Sequence, residues 1–122
     1  IKAAGKPVVM HSCGAVSDFV SMMIEMGIDA LNPVQVSAHG MNPADLVRQF
    51  GRDIAFWGGG CDTQPALNAS DPEAVRADVR QRLSEFGPNA SLVFAQVHNI
   101  QYDVPPENVL AMRDEFWKQT RG

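Results

Sequence analysis

The chain has 122 residues, 45% of them hydrophobic and 20% charged, with a formal net charge of -4. That length and apolar content suffice to bury a core without staples, and they argue against disorder. The acidic balance offers no basic field to a nucleic-acid backbone, and the apolar runs are too short and interrupted to span a bilayer.

Two cysteines, Cys13 and Cys61, are too few for a secreted disulfide framework and read as free thiols or ligands. The opening residues Ile1 to Pro7 lack the charged, apolar and cleavage regions of a signal peptide. A cytoplasmic location is therefore the expectation. The absence of an initiator Met suggests a piece of something longer.

Short apolar runs alternate with helical patterns, as in consecutive βα units on a parallel sheet. The first strand is expected at Pro7–His11, ended by Cys13-Gly14. A helix over Val16–Met26 follows, with Phe19, Val20, Met23 and Ile24 at helical spacing and Gly27 as its stop. Met22, Met23 and Met26 on that helix read as core. Asp29–Gln35 forms the second strand, interrupted by Pro33. Asn42 caps a short helix with Pro43 at its first position, and Gly51 follows its end.

Ile54–Trp57 is the third strand, running into Gly58-Gly59-Gly60. Ser70 and Glu73 have capping-box spacing, and Val75, Val79, Leu83 and Phe86 make one stripe that Gly87-Pro88 ends. Ser91–Val97 is the fourth strand. A loop through Asp103 leads to Pro105-Pro106-Glu107 and a helix with Val109, Met112 and Phe116 on one side.

Polar residues collect where strands end: His11 and Cys13, Asn32 and Gln35, Asp62 and Gln64, His98 and Gln101. A (β/α)8 barrel gathers such loops on its C-terminal face, and a whole barrel takes roughly 250 residues. Residues 1–122 then read as half a barrel, four βα units whose outer strands have open edges. A missing half, or a second copy of the chain, is expected to cover them.

His11-Ser12-Cys13 is the sharpest local signal. Residues i and i+2 of an extended strand project to one side, so an imidazole and a thiolate can converge on zinc. The alternative is a capped strand end with a small buried Cys. A third ligand has to come from another loop, with His98 and Cys61 as the candidates. His98 can be an acid/base or ligand, or a histidine bonded to loop backbone. Asp62 is a general base, an anion for substrate nitrogens, or a turn residue. The glycines 58–60 permit close approach of a substrate to the backbone or make a tight turn. They are not a dinucleotide fingerprint. His39, in a polar loop, is expected to face solvent.

Four segments in order resemble the uroporphyrinogen decarboxylase family. They are His11-Ser12-Cys13-Gly14, Leu31-Asn32-Pro33-Val34-Gln35, Gly58 through Gln64, and His98-Asn99-Ile100-Gln101 with Asp103 through Val109. The resemblance implies a (β/α)8 barrel, with this chain holding its fifth to eighth strands. It also implies one of two chemistries. One is cofactor-free decarboxylation of uroporphyrinogen III in porphyrin biosynthesis. The other is zinc-dependent methyl transfer between a corrinoid protein and a thiol such as coenzyme M.

By that resemblance His98 matches the decarboxylases' active-site histidine. His11 and Cys13 match the first two zinc ligands of the methyltransferases, whose third is a Cys where this chain has His98. Gly59-Gly60-Cys61-Asp62-Thr63 departs from the Gly-Asn-x-Asp-Pro of decarboxylases. The methyltransferase-like branch is the leading expectation, with zinc on His11, Cys13 and His98, and with Asp62 as a further catalytic residue. Asn32, Gln35, Gln64 and Gln101 are expected to hold a small-molecule substrate, and a corrinoid protein to be a partner. The rivals are the metal-free decarboxylase and a non-catalytic, self-associating domain.

Overall fold

A computed structural model describes residues 1–121. Its frame is a parallel sheet of four strands in sequential order, β1 (Val9–His11), β2 (Ala30–Asn32), β3 (Ala55–Trp57) and β4 (Leu92–Val93). Helices α1 (Val20–Glu25), α2 (Pro43–Phe50), α3 (Pro72–Phe86) and α4 (Pro106–Thr120) follow one strand each. This is the alternating βα pattern the sequence calls for, in the order of one side of a (β/α)8 barrel.

The strands are shorter than their apolar runs. β2 stops at Asn32 because Pro33 has no N–H to continue a ladder. β4 is two residues long, yet pairing resumes beyond it: Gly60 donates to the Ala95 carbonyl, Val97 donates to the Cys61 carbonyl at 2.9 Å, and Cys61 bridges Gln96. That resumed pairing carries Val97-His98 alongside Cys61-Asp62-Thr63.

In-register residues Leu31 and Phe56 are fully buried on the helix-covered face, with Met10 and Leu92 packed against the same cluster. Val20, Met23 and Leu46 from α1 and α2 complete it. A second cluster joins Val75 and Val79 of α3 to Ala111 and Met112 of α4, with Cys61 and Leu67 beneath. The opposite sheet face carries His11, Trp57 and Val93, all exposed.

Three local expectations are corrected. The Val16–Met26 helix begins with a 3-10 turn at Ser17–Phe19. Met23 is buried beside Val20, but Phe19, Met22 and Met26 are exposed, since they lie on the side of the turn away from the sheet. The cap of α3 is Asp71, which accepts the Glu73 N–H at 2.9 Å, rather than Ser70. Asp71 is the residue immediately before Pro72, the first helical position, and so has the extended backbone that a cap needs.

The glycine run serves packing. A Cβ on Gly60 would overlap the Phe94 ring, and one on Gly59 would stand 2.9 Å from the Val34 side chain. These glycines let the end of β3 press against its neighbours. No helix among the described residues is long and apolar enough to cross a membrane.

Candidate metal centre at the strand ends

All strands run the same way, so their C-terminal ends share one rim. His11 is the last residue of β1, and Cys13 follows two residues on. The His11 Nε2 and Cys13 Sγ atoms are 3.6 Å apart. The resumed β3–β4 pairing brings His98 to the same place. Its ring centroid is 6.4 Å from that of His11, with the planes inclined at 68°. Ligand atoms from His11, Cys13 and His98 all lie within 4.8 Å of one another, the one such cluster of His, Cys, Asp and Glu among the described residues. All three residues are exposed.

A tetrahedral zinc with bonds of about 2.05 Å to nitrogen and 2.3 Å to sulfur separates the two ligand atoms by about 3.6 Å. The observed His11–Cys13 separation equals that edge. His98 sits within side-chain reach of the same point. The residues present therefore fit the metal that the strand-end pattern suggested.

The His11 ring and the His98 backbone are each held by a neighbour. His11 Nδ1 meets Asn32 Oδ1 at 2.7 Å, from the neighbouring strand in register. The His98 backbone N–H donates to Thr63 Oγ1 at 2.8 Å, and the Thr63 hydroxyl lies 3.4 Å from the His98 carbonyl. Thr63 is buried, and nothing in the sequence singled it out. Its only local signal is its place directly after Asp62, in the stretch that pairs beside residues 97–98.

A cleft of about 290 Å³ opens next to the cluster, lined by Cys13, Gln35, Asp62, Thr63, Gln64 and His98 among others. A smaller one of about 130 Å³ also touches His98 and is lined by His11, Asn32 and Trp57. Asp62 is buried to 6% exposure; its Oδ1 accepts the Gln64 N–H at 3.3 Å, and its own N–H donates to Asp78 Oδ2 at 2.7 Å. Gln64 is exposed at the mouth of the larger cleft.

The amides expected to hold substrate divide. Gln35 lines the larger cleft, but its Oε1 accepts the Gly14 N–H at 2.8 Å and so fixes the loop that carries Cys13. Asn32 is engaged with His11 and with the Trp57 carbonyl. Gln101 is exposed, is 3.5 Å from the Asn99 carbonyl, and lines neither cleft. Cys61, the other candidate third ligand, is buried away from the rim. Burial, with the Asp78 carboxylate beside it, pushes its thiol well above the ordinary range. His39 is exposed and outside the cluster.

Comparison with known proteins agrees with the fold. The family described as Uroporphyrinogen decarboxylase (URO-D) matches residues 1–118. A uroporphyrinogen decarboxylase of Thioalkalivibrio sulfidiphilus is 31% identical over 112 residues, which is 92% of this chain and 30% of that protein. One from Pectobacterium carotovorum is 31% identical over 102 residues, 84% of this chain and 27% of the relative. One from Nitrosospira multiformis is 32% identical over 72 residues, 59% of this chain and 19% of the relative. The chain thus spans about a third or less of the length of these relatives. With the family match covering nearly all of it, the chain belongs to the uroporphyrinogen decarboxylase family.

Proposed function

We propose that the chain supplies the metal-binding part of a zinc-dependent methyltransferase site, in a URO-D family enzyme completed by the rest of its barrel. The methyl group would pass between a corrinoid protein, or a methylated substrate, and a thiol. The observation that carries this reading is the 3.6 Å approach of His11 Nε2 and Cys13 Sγ, with His98 in the same cluster. Zinc bound there lowers the pKa of a coordinated thiol, so that the thiolate exists at neutral pH.

The chain's own residues define what that site prefers. Cys13 is the only anionic ligand in the set, and both histidines are neutral when they ligate. One negative charge against a divalent ion leaves a net positive centre, which attracts an incoming thiolate more than a two-thiolate set would. Thr63 holds the His98 backbone, and Gln35 holds the loop that carries Cys13. Asp62 offers a carboxylate acceptor in the wall of the larger cleft, suited to a polar hydrogen of the substrate.

Cofactor-free decarboxylation is the second reading, favoured by the names of the relatives and by the place of His98 in the walls of both clefts. Metal analysis separates the two. Protein purified without chelators is expected to carry stoichiometric zinc, and Cys13→Ala to carry less than a full equivalent. A protein without stoichiometric zinc, and no difference on Cys13→Ala, would contradict the methyltransferase reading.

A further inference from the structure

We propose that Asn32 is a positioning residue: its side-chain amide, anchored on the Trp57 carbonyl, fixes His11 as the Nδ1–H tautomer and aims Nε2 at Cys13 and His98. This role is distinct from the substrate contact expected of Asn32 from sequence, and its consequence for metal binding rests on the zinc reading above.

A donor is missing from the β2–β3 ladder. The β2–β3 ladder starts with the Ala55 N–H donating to the Asp29 carbonyl, and Ala30 and Leu31 pair with Ala55 and Phe56. Advancing that parallel pattern two residues at a time sets the Trp57 carbonyl opposite the amide position of residue 33. Pro33 has no N–H, so the ladder cannot satisfy this carbonyl. Asn32 Nδ2 takes the place at 3.3 Å.

A carbonyl only accepts, so the group facing it must be the NH2 end of the amide. The Asn32 amide is therefore not free to flip, and Oδ1 is the end turned to His11, at 2.7 Å. An amide oxygen also only accepts, so His11 Nδ1 must donate. In the neutral ring the proton is then on Nδ1 and the lone pair on Nε2, the nitrogen 3.6 Å from Cys13 Sγ. A relay across three strands thus converts a proline-broken ladder into a defined tautomer at the rim.

The test uses the intact protein with 15N-labelled histidine, at a pH where imidazole is neutral. His39→Gln and His98→Gln samples assign the signals. His11 is expected as the Nδ1–H tautomer. Asn32→Leu, which has no acceptor, is expected to release it toward the Nε2–H form. Asn32→Asp, which keeps an acceptor, is expected to retain it. Both variants remove the donor to Trp57, so a difference between them reads the His11 bond and not general damage.

Cobalt(II) titrated alone into each apo protein gives the second readout. Asn32→Leu is expected to weaken its binding by about ten- to a hundredfold, the usual effect of losing the group behind a ligating histidine, with Asn32→Asp close to the parent. The Nε2–H tautomer in the parent protein, or the same tautomer in the parent and Asn32→Leu, overturns the proposal. Equal cobalt affinity in all three proteins also overturns it and leaves the metal reading standing. The expected tautomers with no cobalt uptake support the positioning role and overturn the metal reading.

Discussion

Cys13 is exposed at the rim, whereas Cys61 is buried beside Asp78, with its thiol held neutral far above the usual range. Only the thiolate reacts with alkylating agents. Metal-free protein is therefore expected to lose the Cys13 thiol to iodoacetamide while Cys61 stays unmodified until the fold is denatured. Peptide mass spectrometry reads this directly, and early labelling of Cys61 would contradict the packing described here. At this scale the choice of His98 over Cys61 needed the resumed β3–β4 pairing, whereas the convergence of His11 and Cys13 was legible in the sequence, because strand alternation puts residues i and i+2 on one side. The uses of Asn32, Gln35 and Thr63 were not. A polar side chain reads the same in sequence whether it faces substrate or a backbone group, and only the register shows that Pro33 leaves the Trp57 carbonyl in need of a donor.

At the scale of elements, α3 and α4 pack on each other through a face that is not wholly apolar. Glu115 of α4 is 2% exposed; its Oε1 accepts from Gln119 at 2.7 Å and lies 3.3 Å from Arg80 of α3. The Gln119 hydrogen bond, then the Arg80 contact, hold its carboxyl below the ordinary carboxylate value despite the opposing effect of burial. A folded value below the unfolded one stabilises the protein above about pH 4.3, and this contribution is lost as pH falls through the folded value. Glu115→Gln is expected to lower the melting temperature near neutral pH and to flatten its decline below about pH 4.3. A variant with the same acid limb as the parent would contradict this. The α4 stripe of Val109, Met112 and Phe116 gave no hint of Glu115, because periodicity registers apolar positions and passes over a buried charge whose cationic partner, Arg80, is on another helix. The Asn42 cap was legible, since a cap and its helix are neighbours in sequence.

At the scale of the molecule, the outer strands β1 and β4 each have one neighbour, and the face bearing Val9, Trp57 and Val93 is exposed. Phe19, Met22 and Met26 make a second exposed apolar stripe on the first βα unit. In a (β/α)8 barrel the open edges pair with further strands, the inner face is filled by side-chain layers, and each helix has neighbours in the outer ring. Residues 1–122 expressed alone are expected to self-associate through these surfaces. A monodisperse monomer by sedimentation would contradict that. The same rim holds the proposed metal site of His11, Cys13 and His98. X-ray absorption at the zinc edge tests it most directly. The expected spectrum has one sulfur at about 2.3 Å and two imidazole nitrogens at about 2.0–2.1 Å, with sulfur lost in Cys13→Ala and one imidazole lost in His98→Ala. A zinc shell without sulfur, or one unchanged in both variants, would contradict it.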